Sequence, residues 1–367
     1  MTRLRVCVIF GGRSGEHEIS LRSARSVLEA MNPAKYDVLP VGITHEGRWY
    51  AGADVLEAFE SKTTRQLYPV TFPSQPGQRG LIPLADGGRQ DDLSFDLAYP
   101  MLHGTYGEDG TIQGLFEMAD VPYVGAGVLA SSLGMDKVLF KQVMQRCGLP
   151  VVEGGIVART LIHTDADAAL RAAETVSGYP LFVKPANLGS SVGVSKCRNR
   201  SSLYEGLMDA ARYDRRVLVE RGLEARELEV SVLGNDDPQA SVVGEVVPGD
   251  EFYSYRAKYL DDTSQLLIPA PLDSAVSDEA RRLAVASFRA IDGAGMARVD
   301  FLLERSTGRL YINEINTIPG FTSISMYPKL WLATGYTYPG LIDRLIALGL
   351  ERQAEKDQLL RVYGGAG

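Results

Sequence analysis

Near the C-terminal end, oxygen-bearing side chains crowd into Arg298-Val299-Asp300-Phe301 and Tyr311-Ile312-Asn313-Glu314-Ile315-Asn316. Residues two apart on a strand share a face, so Glu314 and Asn316 project together. If the strand of Asp300 is their hairpin neighbour, its carboxylate converges with them. Hard oxygen donors without His or Cys suit magnesium, which divides its shell between carboxylates and phosphate oxygens. Arg298 shares the face of Asp300 and can neutralise a phosphoryl group there. The plainer alternative is an exposed hairpin with scattered acids.

A second cluster runs from Lys184 to Gly193 (KPANLGSSVG). A short apolar strand ends in a lysine and continues as a loop of small residues. Such a loop lets backbone N–H groups approach phosphate, and Lys184 adds a point charge for the same oxygens. The spacing is not that of a Walker loop, and a simple Gly-Ser turn is the alternative. Gly11–Ser20 (GGRSGEHEIS) follows the first strand, where open α/β sheets bind ligands. Two acids, Glu16 and Glu18, and a His suit an ammonium group better than a phosphate, although Ser20 could be an N-cap and Glu18 structural. The loop Leu102–Gly110 (LHGTYGEDG) also follows a strand, and His103 is either a site residue or a structural histidine. Asp250–Tyr259, with Tyr253, Tyr255, Lys258 and Tyr259, reads as part of a lid over 248–271 or as an aromatic surface hairpin.

These clusters need a scaffold. Leu4–Phe10 is a β-prone run followed by a Gly-rich loop and a helix over Ser20–Met31, the opening of a doubly wound α/β unit. Strands are predicted at Asp37–Ile43 and Asp96–Pro100, with 61–93 as a surface excursion rich in Pro, Gly, Gln and Asp. Helices are predicted over Ser131–Cys147 and 165–177, the first ending at Gly148-Leu149-Pro150. Leu181–Lys184 and Gly193–Cys197 are strands. Val217–Glu220, Leu228–Leu233 and Ser241–Val247 read as strands of a mostly antiparallel sheet. A helix over Asp278–Ile291, strands at Ala297–Leu303 and Arg309–Asn316, and a final helix near Leu341–Leu348 complete the chain.

With 367 residues the chain suits two or three domains of roughly 150 residues each. Its net charge of −8 argues against nucleic acid as a partner. No apolar run approaches the ~18 residues that span a bilayer. The run Val6–Phe10 is too short for a signal-peptide core. Three scattered cysteines, Cys7, Cys147 and Cys197, form no disulfide framework and point to a reducing cytoplasm. With only four histidines as well, a zinc site is disfavoured.

Taken together, GGRSGEHEIS (11–20), LHGTYGEDGTIQG (102–114), MDK (135–137), KPANLGSSVGVSK (184–196), VLVE (217–220), YRAKY (255–259), ARVDF (297–301) and NEINTIPGFTSISMYPKLW (313–331) resemble the D-alanine–D-alanine ligases of the ATP-grasp superfamily. The resemblance covers nearly the whole chain. It implies an N-terminal doubly wound α/β domain (1–130) and a two-lobed ATP-grasp fold (131–224 and 225–360), with the lid at 248–271. It implies ATP as a substrate, two magnesium ions for which manganese can stand in, and a potassium ion as a further cation. It also implies a homodimer.

The resemblance assigns ATP phosphates to Lys137, Lys184 and the loop residues Ser190 and Ser191, the adenine edge to Glu220 and Leu223, and the ribose to Glu227. Asp300, Glu314 and Asn316 match the magnesium ligands. Glu16 matches the acid that holds the first D-alanine's ammonium, with His103 beside it and Ser190 and Tyr259 linking the lid to that acid. Lys258 and Ser325 match groups around the second substrate and the transferred phosphate. Arg298 and the Gly320 N–H match the oxyanion stabilisers. Thr105 stands where many relatives carry Pro.

One alternative is a D-alanine–D-lactate ligase. Lys258-Tyr259 and the lack of His after His163 disfavour it. A dehydrogenase is disfavoured by the missing GxGxxG, and a non-catalytic ATP-binding protein by the filled metal, phosphate and substrate positions.

Overall fold

The computed structural model describes residues 3–84, 92–189, 192–248 and 265–360. Strand β1 (Leu4–Gly11) lies between β2 (Tyr36–Ile43) and β6 (Leu97–Met101), parallel to both. Its continuous apolar run is what a strand covered on both faces requires. Helix α1 (His17–Ala30) makes the crossover to β2 and starts about a turn before the expected Ser20. Strands β3 (Trp49–Ala51), β4 (Tyr68–Thr71) and β5 (Ile82–Pro83) extend the sheet in the order β5-β4-β3-β2-β1-β6, with α2 (Val55–Glu60) between β3 and β4. The described residues within 61–93 are therefore not the surface excursion their composition suggested. β4 and β5 lie within them, and Leu67, Val70, Phe72, Leu81 and Leu93 are buried. Their Pro and Gly punctuate short antiparallel edge strands, where a missing donor is tolerated.

After α3 (Thr111–Ala119) come α4 (Val128–Met135) and α5 (Lys137–Arg146), where one helix over 131–147 was expected. Asp136 divides them. Its backbone is extended (φ −87°, ψ 98°) and its carboxylate caps α5 by accepting the Leu139 N–H at 3.0 Å. Lys137 thus opens a new helix, and its N–H bonds Ala186 O at 2.8 Å.

The middle of the chain forms an antiparallel sheet of β7 (Gly154–Ala158), β8 (Leu181–Pro185), β9 (Ser195–Cys197) and β10 (Arg216–Arg221) in the order β7-β10-β8-β9. Helices α6 (Arg159–Thr164), α7 (Ala166–Glu174) and α8 (Arg200–Ala210) join its strands. A third sheet, again antiparallel, holds β11 (Ala225–Gly234), β12 (Gln239–Val247), β13 (Gln265–Leu267), β14 (Gly295–Glu304) and β15 (Leu310–Asn316) in the order β13-β12-β11-β14-β15. The expected grouping of Val217–Glu220 with Leu228–Leu233 and Ser241–Val247 is corrected here: the first belongs to the middle sheet, the other two to the last. A strand's own pattern does not say which partner it pairs with.

Helix α9 (Ser274–Ala290) covers the third sheet through Ala280, Leu283, Ala284 and Phe288. Helix α10 (Met326–Thr334) precedes α11 (Tyr338–Lys356), which runs well past the expected Leu341–Leu348 at both ends. Leu341, Leu345 and Ile346 of α11 share one core with Val6, Val8 and Phe10 of β1 and with Met296 of β14. The first and last sheets are thereby joined, while the middle sheet keeps its own core around Val183, Val217 and Leu207. Cys7 and Cys197 are buried, Cys147 is exposed, and all three are free thiols.

Candidate active site

The β14–β15 hairpin pairs Asp300 with Glu314 and Arg298 with Asn316. The register slips after Asp300, so Phe301 faces Ile312 and Asn313 is the extra residue of a bulge. On the other side of β14, Asp300 pairs with Glu229 of β11. Arg298 donates from Nε and Nη2 to the two Asp300 oxygens at 2.7 Å each, and its Nε lies 2.9 Å from Glu229. Asn316 Oδ1 accepts the Ile318 N–H at 3.1 Å. Among the described residues no three His, Cys, Asp or Glu are grouped to hold a metal. The set here is two carboxylates and one amide on paired strands. All-oxygen donors of this kind would suit magnesium; here both Asp300 oxygens are taken by Arg298.

Opposite this hairpin stand lysines. Lys137 Nζ donates to Leu188 O at 2.7 Å and lies 3.3 Å from Glu314 Oε2, so it joins the loop after β8 to β15. Lys184 Nζ lies 2.7 Å from Glu220 Oε2 and donates to Asn313 Oδ1 at 3.3 Å. Lys184 faces Leu218 across β8 and β10, which puts Glu220 on its side of the sheet two residues on. Lys141, one turn after Lys137, places its ammonium 2.5 Å from the other Glu220 oxygen. Burial alone would raise the Glu220 carboxyl, but the two lysines outweigh it and bring it down to about 2. Burial pulls Lys141 below the usual lysine value; for Lys184, the charges of Glu220 and Glu314 overcome burial and raise it.

The loop after β8 is pinned from below. Asn187 N–H donates to Asp214 Oδ2 at 2.7 Å, and Asp136 pairs with Arg216 through the oxygen that does not cap α5.

On the third side lies Glu16, buried, its N–H bonded to Ser14 Oγ at 2.9 Å. Two glycines let neighbouring loops close on it. Gly104 has φ +72°, and a Cβ there would sit 2.5 Å from Glu16 Oε2; one at Gly189 would sit 2.9 Å from the same oxygen. The first and middle sheets therefore meet at this carboxylate. Glu108, which sequence reasoning passed over, accepts the Gly104 N–H at 2.6 Å through Oε2, while its buried Oε1 has no hydrogen-bond partner among the described residues. Burial, then the charge of Glu16, raises Glu108 well above the usual carboxyl range. His103 is turned to internal partners: Nδ1 pairs with Ile318 O at 3.0 Å and Nε2 with Ser23 Oγ at 2.9 Å. Burial lowers its pKa, opposed by Glu16. His17 likewise faces inward, onto Gly12 O at 2.9 Å and stacked on His45.

These elements surround a cavity of about 420 Å³. Glu16, Lys137, Arg298 and Glu314 line it, as do Gly320 and Ser325. Asn316, Glu108, Glu229 and Gly189 also reach it. Ser325 Oγ accepts the Thr322 N–H at 3.1 Å, which folds the segment after β15 over the opening. Lys184 and Glu220 do not line this cavity. Glu227, on β11, is close enough for its charge to act on Lys184, and Leu223 lies in the turn between β10 and β11. Ser190, Ser191, Lys258, Tyr259 and most of the expected lid lie outside the described residues. Sequence reasoning also missed Lys141 and Glu229. The signal was present in each case: Lys141 is four residues from Lys137 on a helix, and Glu229 is two from Glu227 on a strand.

Two antiparallel sheets that set lysines against carboxylates, with a parallel α/β unit closing the cavity, form the ATP-grasp fold. The family described as D-ala D-ala ligase N-terminus matches residues 5–126, and D-ala D-ala ligase C-terminus matches 143–347. The chain belongs to the D-alanine–D-alanine ligase family. A D-alanine–D-alanine ligase of Heliobacterium modesticaldum is 49% identical over 358 residues, covering 98% of each chain. The solved D-alanine–D-alanine ligase of Coxiella burnetii superposes with a TM-score of 0.84 at 35% identity, covering 98% of each chain. The VanG D-Ala:D-Ser ligase of Enterococcus faecalis has the same TM-score of 0.84 at 34% identity, over 95% of this chain and 100% of that one.

Proposed function

We propose that the chain uses ATP to join two D-alanine molecules into D-alanyl-D-alanine through a D-alanyl phosphate, releasing ADP and phosphate. The observation that carries this reading is one cavity lined by Glu16 together with Lys137, Arg298 and Glu314. An amino acid held by its ammonium at Glu16 turns its carboxylate toward the cations. Carboxylate and triphosphate repel each other, and Lys137, Lys184 and Arg298 offset that repulsion as the carboxylate oxygen attacks the γ-phosphorus and ADP leaves. The neutral amine of the second D-alanine then attacks the acyl carbon. Arg298 and the Gly320 N–H stabilise the tetrahedral oxyanion, and phosphate departs as the peptide bond forms. Asp300, Glu314 and Asn316 would hold magnesium, which supplies charge neutralisation at the phosphate oxygens. Lys258 and Ser325 serve the second substrate and the transferred phosphate. Ser190 and Tyr259 link the lid to Glu16, with His103 beside that acid. Ser190 and Ser191 serve the ATP phosphates. Glu220, Leu223 and Glu227 serve the nucleoside.

In this reading residues 1–130 bind the first substrate, and 131–224 and 225–360 hold the nucleotide between them. The product is a peptidoglycan precursor, so the enzyme works in the cytoplasm, as a homodimer. No described helix is long and apolar enough to cross a membrane. Potassium is a candidate activator. A D-alanine–D-lactate ligase is the second reading. The curated relatives named D-alanine–D-alanine ligase, at 46–49% identity over nearly the full length, disfavour it. Purified protein with ATP, magnesium and a panel of D-alanine, L-alanine, D-serine and D-lactate tests the choice. D-alanyl-D-alanine should be the main product at neutral pH; preferential depsipeptide formation overturns the reading.

A further inference from the structure

The carboxylate of Glu220 serves two cations at once, Lys141 at 2.5 Å and Lys184 at 2.7 Å. Glu220 and Lys141 are 2% and 5% exposed. Lys184 also reaches Asn313 and feels the charges of Glu314 and Glu227, so its surroundings extend beyond Glu220. Neither lysine lines the cavity, but among the described residues the ion-pair partner of Lys141 is Glu220 alone, whereas Lys184 also donates to Asn313. One lysine is therefore tied to Glu220 alone, and the other also reaches the β14–β15 hairpin.

We propose that Lys141 is a positioning residue that frees Lys184 for the nucleotide phosphate. A buried carboxylate stripped of its partner is strongly destabilising. If Glu220 had only Lys184, movement of that lysine toward phosphate would strand the carboxylate, and Lys184 would be held back. With Lys141 on the second oxygen, Glu220 stays paired whether Lys184 is on it or on ATP. The geometry of α5 sets this up, because Asp136 caps the helix and residues 137 and 141 then lie on one face, a turn apart. The inference rests on the reading that Lys184 contacts phosphate.

The test is a mutant cycle in the full-length enzyme, read as KM for ATP, KM for D-alanine and kcat. Lys141→Met should raise KM for ATP roughly ten- to hundredfold, the scale of one lost charged contact, with KM for D-alanine nearly unchanged. Lys141→Arg should recover most of the loss. In a Glu220→Gln background there is no carboxylate to detain Lys184, so adding Lys141→Met should leave KM for ATP where Glu220→Gln alone puts it. That double variant buries neither of the two charges, so it remains informative if Lys141→Met folds poorly. An equal rise in both backgrounds would mean that Lys141 acts on ATP directly and overturns the inference, as would an unchanged KM for ATP in well-folded Lys141→Met. Lys184→Met separates the two levels. Unchanged KM for ATP in that variant removes the phosphate reading of Lys184 itself, whereas a rise there with none in Lys141→Met rejects only the relay.

Discussion

Arg298 grips Asp300 by both carboxylate oxygens, Nε to Oδ1 and Nη2 to Oδ2, each at 2.7 Å. The two residues are i and i+2 on β14, so the fork is built into one strand face. It fixes the plane of the guanidinium, and Glu229 at 2.9 Å on the neighbouring strand supports it. A lysine carries the charge but not the fork. Arg298→Lys should therefore lower kcat by about 10²–10³-fold, the scale of one oxyanion donor, and raise KM for ATP much less. Steady-state phosphate release measures both; an equal rise in KM would assign Arg298 to nucleotide binding instead.

Glu314 faces Asp300 across the hairpin and is partly exposed, with Lys137 at 3.3 Å. The Lys137 and Glu314 side chains are 13% and 26% exposed, and in such a partly buried pair the attraction is largely offset by the cost of desolvating both charges. Glu314→Gln should abolish phosphate release while the melting temperature barely moves. Chelating magnesium from the wild-type enzyme should give the same loss, reversed by adding the ion back. Turnover that survives both treatments would place the metal elsewhere.

Asp136 does two jobs, capping α5 through Leu139 N–H and pairing with Arg216. Loss of the cap alone costs about 1 kcal/mol, and Arg216 would lose its partner as well. Asp136→Ala should lower the denaturant midpoint and, because Lys137 opens the helix it caps, raise KM for ATP. Asp136→Asn keeps a capping oxygen and should restore more of the stability than of the ATP affinity. Equal restoration of both would show that the cap, not the Arg216 pair, sets Lys137.

Glu108 carries a raised pKa through burial and then the charge of Glu16. The folded chain thus keeps a proton that the unfolded chain releases near pH ~4.3. Native protons exceed unfolded ones above that pH, so this group's contribution to stability declines as pH rises toward the raised folded value. Glu108→Gln has the shape of the neutral acid and no such loss. The melting-temperature difference, variant minus wild type, should grow between pH 5 and pH 8. A constant difference would show that Glu108 is ionised in the fold throughout.

Much of this site is legible in the sequence. Local rules cover it: a lysine closing an apolar strand at 184, small residues after it, and a carboxylate and an amide two apart at 314 and 316 all announce themselves within a few residues. The opening strand, loop and helix are equally plain, because a parallel unit buried on both faces leaves an unbroken apolar run. Other features are hidden because they depend on partners far along the chain. Composition marks 61–93 as surface, yet its Leu67, Val70 and Phe72 are buried and its short strands extend the first sheet. The extended backbone at Asp136 also has partners far along the chain, a bridge to Asn187 and an ion pair with Arg216, 80 residues away.

Side-chain identity and strand period set which residues could bind phosphate, metal or ammonium, because those properties belong to each residue and its nearest neighbours. Tertiary contact alone decided which charges face one another. Asp300 meets Glu314 through strand register, Glu16 meets Gly189 where two sheets abut, and Lys141 and Lys184 share Glu220 because a helix lands against a strand pair. Electrostatic energy depends on distance and burial, and neither is defined until the chain has closed on itself.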